Sequence, residues 1–253
     1  MDLDALAALL RRSRRAVVMT GAGISTESGL PDFRSPTGLW SGTNPAEILS
    51  LRAFYSDPER FFRFYRDTLA PWRNARPNAA HRALAALERA GLIRAVITQN
   101  IDSLHQAAGS QRVIELHGNL RQATCPRCGK FYPIVAVDDA LAAGRLPRCA
   151  DCSDLIKPDV VLFDENLPER AVADAIAEAD AADLMLVVGS SLTVGPANQL
   201  PGLVLANGHP VVLINLGPTM YDQTATAVLA APAGQALPRL CAVLGLNPRS
   251  ELA

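Results

Sequence analysis

The chain has 253 residues, 49% of them hydrophobic and 19% charged, with a formal net charge of −1. That length buries a substantial core and fits one large domain with a small satellite. The charge balance gives no electrostatic footprint for nucleic acid or an anionic membrane, and no apolar run approaches the roughly 20 residues that span a bilayer.

Leu3, Leu6 and Leu10 recur at helical spacing and are followed by Arg11, Arg12, Arg14 and Arg15. A secretory signal places its basic residues first, and a mitochondrial presequence avoids acids such as Asp2 and Asp4. The segment therefore reads as a surface helix and the protein as cytoplasmic. Ala16–Thr20 reads as a buried strand that runs into Gly21-Ala22-Gly23-Ile24-Ser25-Thr26 and then Pro31-Asp32-Phe33-Arg34. Residues 38–78 hold Trp40, Phe54, Tyr55, Phe61, Phe62, Phe64, Tyr65 and Trp72 and read as a helical insertion.

A helix at 79–90 stopped by Gly91 follows, then strands at 95–98, 184–188 and 211–215, with a helix at 169–179 after Pro168. Strands alternating with helices predict an α/β fold built on an open, doubly wound parallel sheet. The strands end in Gly21-Ala22-Gly23, Gln99-Asn100-Ile101-Asp102, Gly189-Ser190-Ser191 and Asn215-Leu216-Gly217. Ligands of such sheets sit outside the carboxyl ends of the strands, so these four turns point to one crevice. A Gly-x-Gly turn after a strand lets backbone N–H groups approach a pyrophosphate, although the third glycine of the usual dinucleotide fingerprint is missing here.

Cys125-Pro126-Arg127-Cys128 and Cys149-Ala150-Asp151-Cys152 form two C-x2-C knuckles. Their spacing suits four thiolates around one tetrahedral Zn²⁺ at about 2.3 Å each. Redox-active or vestigial cysteines are the alternative, and disulfides suit a cytoplasmic protein poorly. Four sulfur ligands leave no open position, so the metal is expected to be structural. Cys241, in an apolar C-terminal helix, reads as a core residue.

Of the four histidines, His81 falls on the 79–90 helix, His105 follows the Asn100–Asp102 turn and His209 sits beside Pro210. A lone histidine is usually structural. His117 differs in lying at the junction of the large domain and the cysteine-bearing insertion, with Gly118 after it to let a substrate approach. Asp32 and Arg34 could equally form a surface ion pair, and Asn100 or Asp102 could cap a helix.

The order and spacing of Gly21-Ala22-Gly23-Ile24-Ser25, Pro31-Asp32-Phe33-Arg34, Thr98-Gln99-Asn100-Ile101-Asp102, His117-Gly118, both cysteine pairs, Gly189-Ser190-Ser191 and Asn215-Leu216 resemble the sirtuins. These are NAD-dependent protein-lysine deacylases, and the likeness runs from about residue 14 to about residue 226. It implies a Rossmann-like NAD-binding domain of residues 1–37, 79–120 and 158–253. The helical insertion 38–78 and a zinc-ribbon module 121–157 would form the small domain.

It further implies that Gly21, Ala22, Gly23, Ile24 and Thr26 hold the pyrophosphate and that Gly189, Ser190, Ser191, Asn215, Leu216 and Gly217 hold the adenosine half. Asp32, Phe33 and Arg34 would form a flap, with Phe33 over the nicotinamide ribose. Gln99, Asn100, Ile101 and Asp102 would grip the ribose hydroxyls and the carboxamide. The catalytic residues implied are His117, Asn100 and Asp102, with His117 as the general base that deprotonates a ribose hydroxyl. The products implied are lysine, nicotinamide and O-acetyl-ADP-ribose. Protein ADP-ribosyl transfer, or NAD binding without turnover, are the alternative readings of the same residues.

Desuccinylating members resemble one another in a Tyr-x-x-Arg pair lining the acyl pocket, where the guanidinium pairs with the acyl carboxylate. Here Tyr65 is followed by Thr68 at that spacing. Tyr65 is therefore expected at an apolar pocket that takes acetyl or other uncharged groups. Val160, Phe163, Asp164 and Glu165 match a segment that pairs with the substrate peptide, but Asp164 stands where the family usually has glycine. If that position needs a backbone angle suited to glycine, the loop shifts or carries strain, and the charge favours basic residues near the target lysine. The expected partners are acetylated proteins or peptides, with no nucleic acid or membrane, and the chain is expected to be a monomer.

Overall fold

The computed structural model describes residues 2–33, 38–39 and 44–248. Arg34 and Trp40 lie outside the described residues.

Nine strands are described: β1 (Ala16–Thr20), β2 (Ala95–Thr98), β3 (Val113–Glu115), β4 (Gly118–Thr124), β5 (Phe131–Pro133), β6 (Lys157–Val160), β7 (Leu184–Val188), β8 (Val211–Ile214) and β9 (Ala227–Leu229). The α-helices are α1 (Leu3–Arg12), α2 (Leu51–Ser56), α3 (Pro58–Phe64), α4 (Ala79–Arg89), α5 (Leu104–Ala107), α6 (Val135–Ala142), α7 (Glu169–Asp180), α8 (Leu200–Ala206) and α9 (Ala233–Val243). Six strands form a parallel sheet in the order β3-β2-β1-β7-β8-β9.

The central strands are apolar throughout because each faces two cores. Ala16 and Val18 of β1 join the core under α1, α4 and α9, whereas Val17 and Met19 join the core under α7 and α8. Leu184, Leu186 and Val188 of β7 make the first choice, and Met185 and Val187 the second. This is why the sequence shows continuous apolar runs instead of alternation. Chain order along the sheet reverses between β1 and β7, and at such a switch point the connecting loops part and leave a crevice.

Helix α1 forms as its pattern predicts. Asp2 caps it by accepting from the Ala5 amide at 2.8 Å, Leu6 and Leu10 are buried, and Arg11 and Arg12 fall in the last turn, where the helix dipole favours them. Two features depart from the sequence reading: edge strands β3 and β9 add to the four central strands, and the strand at 211–215 ends at Ile214. The apolar C-terminal helix is α9, with Cys241 buried in it. At the amino ends of β1, β2 and β3, Arg15, Arg94 and Arg112 converge on the buried carboxylate of Glu178 in α7, at 3.2, 3.8 and 2.7 Å.

The remaining strands form a small antiparallel sheet, β5-β4-β6. It shares a third core with the helical segment 44–74, where Phe54, Phe61 and Phe62 meet edge to face at 5.1–5.8 Å. That segment passes from α3 into one π-helical turn, Tyr65–Leu69.

Candidate active site

The carboxyl ends of β1, β2, β7 and β8 open onto one crevice of about 720 Å³. Its floor is made by two glycine turns in direct contact. The Gly23 amide donates to the Gly189 carbonyl at 2.8 Å, and a Cβ on Gly21 or Gly23 would lie 2.8 Å from Gly189 backbone atoms. Thr26 does not line the crevice; its hydroxyl donates to the Gly23 carbonyl at 3.0 Å and braces the turn from behind. Ile24 turns its side chain into the core. Gly21, Ala22, Gly23, Asp32, Phe33, Gln99, Asn100, Ile101, Gly189, Ser190, Ser191, Asn215, Leu216 and Gly217 all line the crevice. Leu216 exposes 71% of its surface there, an unusual exposure for leucine that suits a ligand face.

Beside the crevice lies a smaller recess lined by Ala22, Ser25, Phe33, Asn100 and Asp102. The Asn100 amide donates to the Gly21 carbonyl at 3.1 Å and to Ser25 Oγ at 3.2 Å. Ser25 in turn donates to Asp102 Oδ2 at 2.6 Å. Asp102 Oδ1 accepts from the Leu104 amide at 2.9 Å, so the carboxylate also caps α5. Burial raises the Asp102 carboxyl above its ordinary pKa, against the pull of those two donors. Asn100 Oδ1 is buried with no hydrogen-bond partner among the described residues. An orphaned acceptor beside a recess is what a bound amide or hydroxyl donor would satisfy. The residues thus fit a nicotinamide nucleotide. Ser25 has no role assigned from its place in the motif; its buried bond to Asp102 supplies one.

Behind the recess, His81 and His105 face each other with ring centroids 5.0 Å apart. Burial lowers their pKa values to about 2 and about 4. Both are neutral parts of the scaffold, in keeping with the structural reading of a lone histidine.

His117 lines the crevice between β3 and β4. Its Nδ1 lies 2.8 Å from the Gln99 carbonyl oxygen. A carbonyl only accepts, so Nδ1 carries a proton, and in the neutral ring the lone pair is on Nε2. Gly118 adopts φ +74°, and a Cβ there would collide with the Asp159 carbonyl on β6. The glycine after His117 therefore makes room for a neighbouring strand. Admitting substrate is not what requires it.

The other wall is apolar: Leu49 and Leu69 from the helical segment, and Val160, Val161 and Leu162 from the end of β6 onward. Nothing in the pattern around isolated leucines marks them in the sequence. Tyr65 is not among the lining residues. It is fully buried, and its hydroxyl donates to Asp138 Oδ1 of α6 at 3.1 Å, with Arg73 at 2.7 Å from the other carboxylate oxygen. Burial pushes the Tyr65 phenol up, so it stays a donor.

Val160, Phe163, Asp164 and Glu165 line the crevice as one edge. Asp164 has φ +70°. It is the third residue of a turn closed by the Glu165 amide on the Leu162 carbonyl at 3.1 Å, a position where type II turns favour glycine or asparagine. The loop keeps the left-handed angle and carries the cost, roughly 1–2 kcal/mol for a non-glycine residue.

The Cys125, Cys128, Cys149 and Cys152 Sγ atoms all lie within 4.8 Å of one another. Tetrahedral Zn–S geometry needs sulfur atoms about 3.8 Å apart, so the four thiols fit one ion. The Tyr132 hydroxyl donates to Cys149 Sγ at 3.2 Å and lowers that thiol's pKa to about 6. That favours the thiolate a metal needs.

The model of the Sir2 family matches residues 21–196. The chain belongs to the Sir2 family. An NAD-dependent protein deacetylase of Thermotoga maritima is 49% identical over 218 residues, covering 86% of this chain and 88% of the relative. One of Pyrobaculum aerophilum, NAD-dependent protein deacetylase 1, is 45% identical over 239 residues, covering 94% and 93%. A solved complex of Sir2 with p53 peptide and NAD+ superposes with a TM-score of 0.91 at 45% identity, covering 97% of this chain and 99% of that one. A Sir2 variant with deacetylated p53 peptide and 3'-O-acetyl-ADP-ribose gives 0.93 at 44%, covering 98% and 100%. The parallel sheet, the antiparallel sheet and the four-cysteine cluster are thus those of a Sir2 fold.

Proposed function

We propose that this protein is an NAD-dependent protein-lysine deacetylase. It transfers the acetyl group of acetyl-lysine to ADP-ribose and releases nicotinamide and O-acetyl-ADP-ribose. The observation that carries the reading is the convergence, at one switch point, of the Gly23–Gly189 floor, the Asn100 acceptor and His117 with its lone pair on Nε2.

NAD supplies the acyl acceptor and a leaving group whose departure leaves positive charge on the ribose. The chain's own residues do the rest. The glycine turns admit the pyrophosphate to bare backbone. Asn100 Oδ1 accepts from the nicotinamide ribose or carboxamide, with Ser25 and Asp102 fixing its orientation. Phe33 roofs the ribose, and the Leu49, Leu69 and Leu162 wall keeps water from the reacting carbon. His117 Nε2 takes the proton from a ribose hydroxyl as it attacks, while Gln99 holds the ring's tautomer.

No cation lines the crevice among the described residues, which favours an uncharged acyl group over succinyl. The substrates are acylated proteins or peptides. A cytoplasmic location and a monomeric state complete the reading: a four-thiol site suits a reducing compartment, and among the described residues no helix is long and apolar enough to cross a membrane.

The test is mass spectrometry of acetyl- and succinyl-lysine peptides incubated with zinc-loaded protein, with and without NAD. Loss of acetyl with formation of O-acetyl-ADP-ribose, only when NAD is present, is the expected result. Protein-bound ADP-ribose without deacetylation would replace this reading with ADP-ribosyl transfer. Faster removal of succinyl would overturn the acyl preference.

A further inference from the structure

Asp164 combines three properties that its surroundings do not account for. Its backbone is left-handed at φ +70°. Its side chain is exposed on the rim of the crevice. And its carboxylate makes no hydrogen bond or ion pair among the described residues.

The neighbouring acids are committed elsewhere. Glu165 accepts from the Leu162 amide at 2.7 Å and from Lys157 Nζ at 3.0 Å. Asp32 has partners of its own. No lysine or arginine lines the crevice among the described residues, so none of the described lining residues neutralises Asp164.

The turn that carries Asp164 is held at both shoulders. The Phe163 amide donates to the Leu49 carbonyl at 2.8 Å, and the Phe163 carbonyl accepts from the Leu51 amide at 2.9 Å. On the other side, Glu165 ties the turn to Leu162 and Lys157. The carboxylate therefore projects from a preset backbone and loses little freedom on meeting a partner. A residue kept in a costly conformation, with its charge unspent, points to a role in recognition.

We propose that Asp164 selects the substrate sequence, pairing with an arginine or lysine side chain close to the acyl-lysine and repelling acidic flanks. The proposal rests on the crevice being the acyl-peptide site. The ligand class is a basic peptide segment, and the contact is a half-exposed ion pair that acts on selectivity more than on affinity.

The experiment compares kcat/KM, at saturating NAD, for acetyl-lysine peptides of one length that carry arginine, alanine or glutamate on either side of the target. Wild-type protein is measured beside Asp164→Asn, which removes the charge and tolerates the left-handed angle, and Asp164→Gly, which relieves the angle as well. The wild type is expected to prefer the arginine-flanked over the glutamate-flanked peptide by about three- to tenfold at low salt. That ratio falls toward one in both variants, and toward one for the wild type in 0.5 M salt, where the Debye length is only a few ångströms. An unchanged ratio in Asp164→Asn, or no preference in the wild type, overturns the proposal. If the wild type binds NAD and deacetylates none of the peptides, the reading of the crevice fails, and this proposal with it.

Discussion

The amide of Gly23 and the carbonyl of Gly189 meet at 2.8 Å across the boundary between the two halves of the parallel sheet. The contact is possible because neither residue has a side chain. A Cβ on Gly23 would lie 2.8 Å from both Cα and O of Gly189, and backbone cannot swing aside as a side-chain tip can. Gly23→Ala is therefore expected to part the two turns, costing about 2 kcal/mol of stability and raising the KM for NAD at least tenfold. Thermal unfolding and NAD titration check this. A variant with unchanged NAD affinity would show that the crevice floor need not be closed.

For His117, the bond from Nδ1 to Gln99 fixes which nitrogen can act as a base. His117→Ala should lower kcat by about 10²- to 10⁴-fold with the melting temperature nearly unchanged, because the ring lies in the crevice and not in a core. NAD binding should persist. Product analysis by mass spectrometry reads the loss, and activity within threefold of wild type would remove His117 from the mechanism.

The two scaffold histidines set a pH dependence of stability. Their pKa values in the fold, about 2 for His81 and about 4 for His105, lie below the ordinary value of 6.5. Between pH 6.5 and those values the unfolded chain binds protons that the folded chain refuses. Stability is therefore full above about pH 6.5 and falls as the pH is lowered, by up to roughly 2 kcal/mol per imidazole at pH 5. Denaturant titrations at pH 7.5, 6 and 5 measure the slope. His105→Gln should flatten it, and a slope that does not change would show that other groups dominate.

Metal removal gives a separate test. Elemental analysis is expected to find one zinc per chain. Chelation should abolish deacetylation and disorder the β4–β5–β6 sheet while leaving the parallel sheet folded, since that sheet has cores of its own. Added zinc should restore activity. A metal-free protein with full activity and an unchanged melting profile would make the cysteines vestigial.

Much of this arrangement is legible in the sequence, for identifiable reasons. Strands β1, β2, β7 and β8 are visible because both their faces are apolar, and the cysteine knuckles because metal chemistry fixes their spacing. Asp164 is visible because the resemblance sets glycine at its place, and the left-handed angle there supplies the physical reason. What escapes depends on distant partners. Strands β3 and β9 are three residues each and exist by virtue of the neighbours they extend. Glu178 looks like one more helix-surface acid until Arg15, Arg94 and Arg112 gather around it. The direction of the Tyr65 side chain is set by Asp138, far along the chain.

That last bond has a wider consequence. With Arg73, it fastens the segment bearing Leu69 to α6, an element of the zinc-bearing part, whereas Gly23, Asn100 and Gly189 hang from the parallel sheet. The wall proposed for the acyl chain and the floor proposed for the nucleotide thus rest on largely separate foundations, joined where Trp72 packs on Phe33. Substitutions at Leu49 and Leu69 are therefore expected to retune which acyl groups are accepted, whereas a change at Trp72, whose ring lies 6.2 Å from that of Phe33 and which lines the recess beside Asn100, would reach both specificities.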